Sequence, residues 1–306
     1  VARVVQGVAA ACLWLAVSAI TADVTPAGQR GRAFGGIEQV RSQGSMLGIF
    51  VAIALLMGVE EVGNPWPVLF GGYGAAGLVA LLMAARGLPE TWVAVPAASP
   101  AATRRPLPRS RTWTLLLWIA AVTGASGASV GPIVLFFLQD RLGATTAQVG
   151  YAYLPAVLIT AFLSTPLGTL ADRFGRKPLM LLGMAVAAAS SFLVPGLSTL
   201  VALAALQALQ ALSTAASSPA EQSLVADLTG GDQRGRAYGV YALAGGLGAT
   251  VGPLVGGWLY EHVSPTAPFY ANGIVLAVSV IVLWALLQVP RAPAGAGGQG
   301  RGEDES

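Results

Sequence analysis

The sequence predicts an all-α membrane protein: a helical bundle with nine transmembrane helices of an expected twelve, in two pseudo-symmetric halves. Three observations predict it. Hydrophobic residues make up 55% of the 306 and charged residues 10%, with a mean hydropathy of +0.67, whereas soluble domains carry about a quarter charged residues. Apolar runs recur along the chain, and about 20 residues suffice to span a bilayer as a helix. A segment of 15 residues occurs twice at a fixed offset. The alternating pattern of transmembrane barrel strands is absent.

The runs can be taken in order. The first, 4–23, ends at the polar segment ADVTPAGQRGR. The second, 32–57, carries Glu38 and Arg41 two to three turns in, spaced i,i+3 and so on one face. Ionisable residues at that depth are functional candidates by default. They pair with each other, bind a polar substrate or let Glu38 take a proton; the sequence leaves all three open. The third run, 66–85, is followed by the Pro-, Ala- and Arg-rich residues 93–111, which read as a cytoplasmic linker near lipid headgroups. The fourth and fifth, 113–138 and 148–170, lead into GTLADRFGRKP (168–178). The sixth and seventh are 178–197 and 199–226, and Glu221 near the end of the seventh is a weaker candidate of the same kind as Glu38. The eighth, 236–260, holds Gly248, Gly252, Pro253, Gly256 and Gly257. Small residues let helices approach closely, and proline in a span permits a gating kink; both readings stay open. The ninth is 267–289, and the Gly-rich, then acidic residues 291–306 read as a disordered cytoplasmic tail. Trp118, Phe136, Gln139, Tyr151, Tyr153 and Asn272 are candidates for lining a cavity, although Trp and Tyr near helix ends also form interfacial belts.

Charge fixes an orientation. Of 17 basic residues, 14 fall in alternate loops, around 30–32, 86–111, 173–177, 234–236 and the tail. The opposite loops hold Glu60, Glu61, Asp140, Arg141, Glu261 and His262. By the positive-inside rule the arginine-rich side is cytoplasmic, the C-terminus with it. The basic excess is thus a topology signal and not a nucleic-acid footprint. One cysteine, Cys12, and one histidine, His262, expected in a short loop, exclude a disulfide framework, a multi-His metal site and a His-based triad within this chain. No cofactor or metal is expected.

ADVTPAGQRGRAFGG (22–36) returns as ADLTGGDQRGRAYGV (226–240), identical at 9 of 15 positions at an offset of 204. Gly44 and Gly48 stand at the same offset from Gly248 and Gly252. Both copies lie on the arginine-rich side, the parallel arrangement of transporter halves. The division expected is 1–92, the last three helices of the first half; 93–111, the linker; 112–290, a six-helix second half; and 291–306, the tail. GTLADRFGRKP has no partner 204 residues upstream within the chain. Three further N-terminal helices are therefore expected.

Here the motifs support a family. GTLADRFGRKP resembles the G-x-x-x-D-R-x-G-R-[RK] motif of the major facilitator superfamily. RVVQG (3–7) is similar to that family's R-x-x-Q-G motif, GATVGPLVGG (248–257) to the glycine-proline motif of its antiporters, and LPET (88–91) to the segment after its sixth helix. Gly168 and Gly175 permit a tight turn and close helix approach. Asp172 is placed to accept bonds from the N–H groups of a helix start, and the resemblance implies which one: the helix beginning near 31–33 in the other half. Arg173 or Arg176, followed by Lys177, is placed to pair with Asp227. This cluster is expected to latch the two halves; the alternative is a topology anchor with solvated charges. The resemblance also implies a role near a proton path for Arg3 and Gln6. Departing from the antiporter pattern, the glycine-proline motif sits on the eighth run, and the second has Ile49 where that proline would stand.

The expected function is secondary active transport of a small organic solute across the cytoplasmic membrane by alternating access, with proton-coupled drug or metabolite efflux leading. Uptake by a symporter or uniporter is the alternative, followed by a non-transporting scaffold or sensor. The expected partners are the lipid bilayer and a small-molecule substrate, without nucleic acid, for a monomeric protein that is not an enzyme.

Overall fold

A computed structural model describes residues 2–58, 66–87, 107–108, 110–230 and 233–287; the side chains of 2–3, 55–58, 142 and 146 fall outside that description. The described residues form nine α-helices and no strand: α1 (Ala2–Val24), α2 (Arg30–Gly58), α3 (Trp66–Gly87), α4 (Arg111–Leu142), α5 (Thr146–Phe174), α6 (Arg176–Leu193), α7 (Leu200–Leu228), α8 (Arg234–His262) and α9 (Ala267–Leu286). Eight of them are long and apolar enough to cross a membrane. The exception is α2, whose first half carries Arg30, Arg32, Glu38, Gln39, Arg41, Ser42 and Gln43. LPET, nearly all of 93–111 and the tail 291–306 lie outside the described residues.

Local chemistry sets the helix ends. Ser110 caps α4 by accepting from the Trp113 N–H at 3.2 Å, and Thr145 and Gln148 form a reciprocal capping box at the start of α5. Gly143, at φ 60°, closes α4. Gly175 joins α5 to α6 alone, at φ 89° and ψ 159°, a region reserved for glycine. Lys177 then donates to the carbonyls of Trp284 (2.9 Å) and Leu287 (2.7 Å), placing a cation on the C-terminal end of α9. His262 closes α8 instead of lying in a loop, its ring stacked on Trp258.

Within the second half, α4 packs along α8, α5 along α7, and α6 between α7 and α9. One buried cluster, including Leu116, Ile119, Met180, Leu224, Tyr238 and Leu283, fills the arginine-rich end. Another, including Phe137, Leu138, Leu203 and Phe269, fills the opposite end. Large apolar side chains on α1, α3, α8 and α9 point outward, as a bilayer-facing surface requires.

The long contact between the halves is α2 against α5. It is polar and close. A Cβ on Gly35 would overlap the Ser164 carbonyl, and one on Gly168 the Gly31 carbonyl. Gln39 Oε1 accepts from the Thr165 N–H (3.1 Å), Ser42 bonds Thr160 (2.9 Å), and Gln43 Nε2 donates to the Ala161 carbonyl (2.8 Å). Small residues and interhelical side-chain bonds are what hold helices together in lipid, where apolar contact alone gives no preference for a partner.

Candidate functional site

Two features lie in line along the bundle: a charged cluster at the arginine-rich end and a cavity above it. The cluster is built on the repeated segment. Asp172, at the end of α5, accepts from the N–H groups of Gly31 and Arg32, each at 2.9 Å. A Cβ on Gly31 would meet Asp172 Oδ1 at 2.8 Å, so the bare backbone there allows the approach. The carboxylate thus sits on the positive end of α2.

Around it two ion pairs, Arg30–Asp227 and Arg234–Asp23, cross between halves. Arg30, 7% exposed, donates to Asp227 Oδ1 at 2.6 Å and to the Ala22 carbonyl at 3.2 Å. Arg176 pairs with the other oxygen of Asp227 and donates to the carbonyls of Ser223 (3.1 Å) and Ala27 (3.0 Å). Arg234 pairs with Asp23. Arg30 and Arg234 stand 204 residues apart in sequence, as do Asp23 and Asp227. Each copy of the repeat therefore gives its arginine to the other copy's aspartate. Phe34 and Tyr238, again equivalent positions, are both buried between the copies with ring centroids 6.2 Å apart.

Of the residues singled out in the sequence, Gly168, Asp172, Gly175, Arg176, Lys177 and Asp227 fall in this region. Arg173 does not join the cluster; its side chain is exposed, and Arg176 pairs with Asp227. Asp23 was missed, although the repeat carried the signal, because its offset equates Asp23 with Asp227.

The cavity lies among α1, α4, α6, α7, α8 and α9, with a volume of about 600 Å³. Trp14, Thr123, Gln210, Thr214, Ser217 and Glu221 are on its wall. Glu221 is 8% exposed and accepts from the Tyr241 hydroxyl at 2.8 Å. Nothing in the sequence joins Glu221 to Tyr241, 20 residues away on the next helix; only the α7–α8 packing does. Trp14 also meets Tyr238 edge to face, with centroids 6.1 Å apart, and Tyr238 donates to the Gln222 carbonyl at 2.9 Å. Cavity and cluster thus share a wall.

Other candidates sit elsewhere. Glu38 and Arg41 pair with each other at 3.4 Å, with side chains 30% and 66% exposed, and neither lines this cavity. Gln6 is on an exposed face of α1, and the Arg3 side chain lies outside the described residues. Trp118, Phe136, Gln139, Tyr151, Tyr153 and Asn272 are not on its wall. Asn272 instead ties α9 to Ser126 (3.0 Å) and Ser191 (2.8 Å). The glycine-proline run is a packing seam. Cβ atoms on Gly248, Gly252 and Gly256 would overlap Ala121, Ala125 and Ser129 of α4, whereas one on Gly257 would meet nothing within 4 Å. The helix continues through Pro253.

A polytopic helical bundle with a repeated cluster joining two pseudo-symmetric halves defines a class of multi-pass membrane protein. The family model of the Major Facilitator Superfamily matches residues 1–163 and 116–304, and the chain belongs to that superfamily. Tetracycline resistance protein, class B, of Escherichia coli is 32% identical over 154 residues, 50% of this chain and 38% of that protein. Multidrug resistance protein MdtH of Yersinia enterocolitica is 32% identical over 133 residues, 44% of this chain and 33% of that protein. The matches thus span two fifths or less of those relatives' own length. The structure of the human organic anion transporter MFSD10 (TETRAN) is similar with a TM-score of 0.70 at 19% identity, over 89% of this chain and 66% of that one. The proton:xylose symporter XylE gives 0.61 at 17%, over 89% and 67%. At these identities the likeness is one of fold.

Proposed function

We propose that the protein is a secondary active transporter, moving a small organic solute across the cytoplasmic membrane by alternating access. The observation that carries this reading is the reciprocal exchange of Arg30–Asp227 and Arg234–Asp23 between the halves, with Asp172 on the start of α2. Bonds that all cross one boundary, at one end of the molecule, hold that end closed and open together when the halves rock. The cavity lies on the other side of the closed end.

Proton-driven efflux of a drug or metabolite is the subclass we favour, because two relatives carry tetracycline resistance and multidrug resistance in their names. The proton gradient supplies the energy and no cofactor is needed. The arginine-rich end and the C-terminus face the cytoplasm by the positive-inside rule, and the working unit is a monomer.

The test is flux in proteoliposomes holding the full-length protein under an imposed pH gradient. Gradient-dependent movement of an organic solute is expected, and its direction distinguishes efflux from uptake. Asp172→Asn is expected to lower flux at least about fivefold while insertion is unchanged, since it removes the charge that favours the α2 N-terminus. Normal flux in that variant sinks the latch. No flux of any solute in a broad panel sinks the transporter.

A further inference from the structure

We propose that Glu221, held by Tyr241, is the binding site for the positive centre of an organic cation. The proposal rests on the transporter reading and names its substrate class. The wall of the cavity is apolar, aromatic and hydroxyl-bearing, and among the described residues Glu221 is its one acidic group. No described arginine, lysine or histidine lines it. The cations nearest along α7, Arg30 and Arg176, are bound to Asp227, six residues further on. Glu221 is buried and has one hydrogen bond from a neutral phenol. A carboxylate in that setting has no countercharge among the described residues, and a buried charge without one is costly in a membrane. A cationic ligand supplies it. Trp14 on the same wall offers an aromatic face, which also attracts cations. About 600 Å³ accommodates a drug-sized molecule. Gln210, Thr214 and Ser217 provide neutral polar contacts but no positive charge to receive an anion.

The same stretch of α7 touches both the cavity and the cluster. Glu221 faces the cavity, the Gln222 carbonyl accepts from Tyr238, the Ser223 carbonyl accepts from Arg176, and Asp227 takes Arg30 and Arg176.

Two ions of similar shape and opposite charge test this: tetraphenylphosphonium and tetraphenylborate, bound to the purified full-length protein and measured by equilibrium dialysis. The wild type is expected to favour the cation at least about tenfold, a difference of about 1.4 kcal/mol. Glu221→Gln is expected to abolish the preference, and Glu221→Asp to keep most of it. Equal binding of the two ions by the wild type, or an unchanged preference in Glu221→Gln, overturns the proposal. If Glu221→Gln does not fold, Tyr241→Phe serves. It is expected to weaken cation binding several-fold and leave anion binding alone, and no change overturns the proposal. Solute flux without a cation preference removes this site and leaves the transporter standing. A cation preference in a protein that moves no solute does the reverse.

Discussion

Asp227 holds two arginines and Asp23 holds one, so the two halves of the exchange are unequal in strength. Removing Asp227 leaves Arg30, 7% exposed, and Arg176 without their countercharge, and a buried charge stripped of its partner is strongly destabilising. Asp227→Asn is therefore expected to cost about 1–3 kcal/mol, discounted because Asp227 is partly exposed, and Asp23→Asn less. Thermal unfolding of the purified variants checks the order, and a larger loss in Asp23→Asn would contradict it. Glu38 teaches a different lesson at this scale. Its i,i+3 spacing from Arg41 was legible, but not the direction in which that face points. Gly31, Gly35, Gln39 and Gln43, four apart, form the stripe that meets α5, and Glu38 and Arg41 turn away from it. That stripe is present in the sequence and was the signal to follow. Glu38→Gln should leave the pH profile of flux unchanged; a shifted profile would return Glu38 to the proton path.

At the scale of elements, α8 is held to α4 by glycines four residues apart, each meeting a small residue of α4. Gly252→Leu should push the two helices apart, costing about 1–3 kcal/mol or more and lowering the yield of folded protein. Gly257→Leu, with open space around the position, should cost little. Similar behaviour of the two variants in detergent unfolding would show that the seam does not fix α8. The helices themselves were readable because lipid sets a length and excludes charge. Their boundaries move by a few residues, as at the start of α4, where a capping serine begins the helix two residues before the apolar run. Which helices touch was not readable from hydropathy. Side-chain seams such as α4–α8 and α2–α5 decide it, and the repeat gave only their symmetry.

For the whole molecule, the repeat was the most informative feature. Its offset of 204 residues relates the two halves and makes Arg30 equivalent to Arg234. It could not place Glu221 beside Tyr241, because the repeat relates the two halves to each other and says nothing of contacts inside one half. The central claim is that the cluster closes the arginine-rich end by joining the halves. The measurement that tests it most directly is an electron-electron distance between spin labels at Gln29 and Phe174, exposed residues on opposite halves at that end. It is made in the full-length protein after Cys12, which is exposed, is replaced by serine. The account predicts a narrow short-distance population in the parent, and a second, longer one when Asp172→Asn and Asp227→Asn are combined. An unchanged distance distribution in a folded double variant would contradict it.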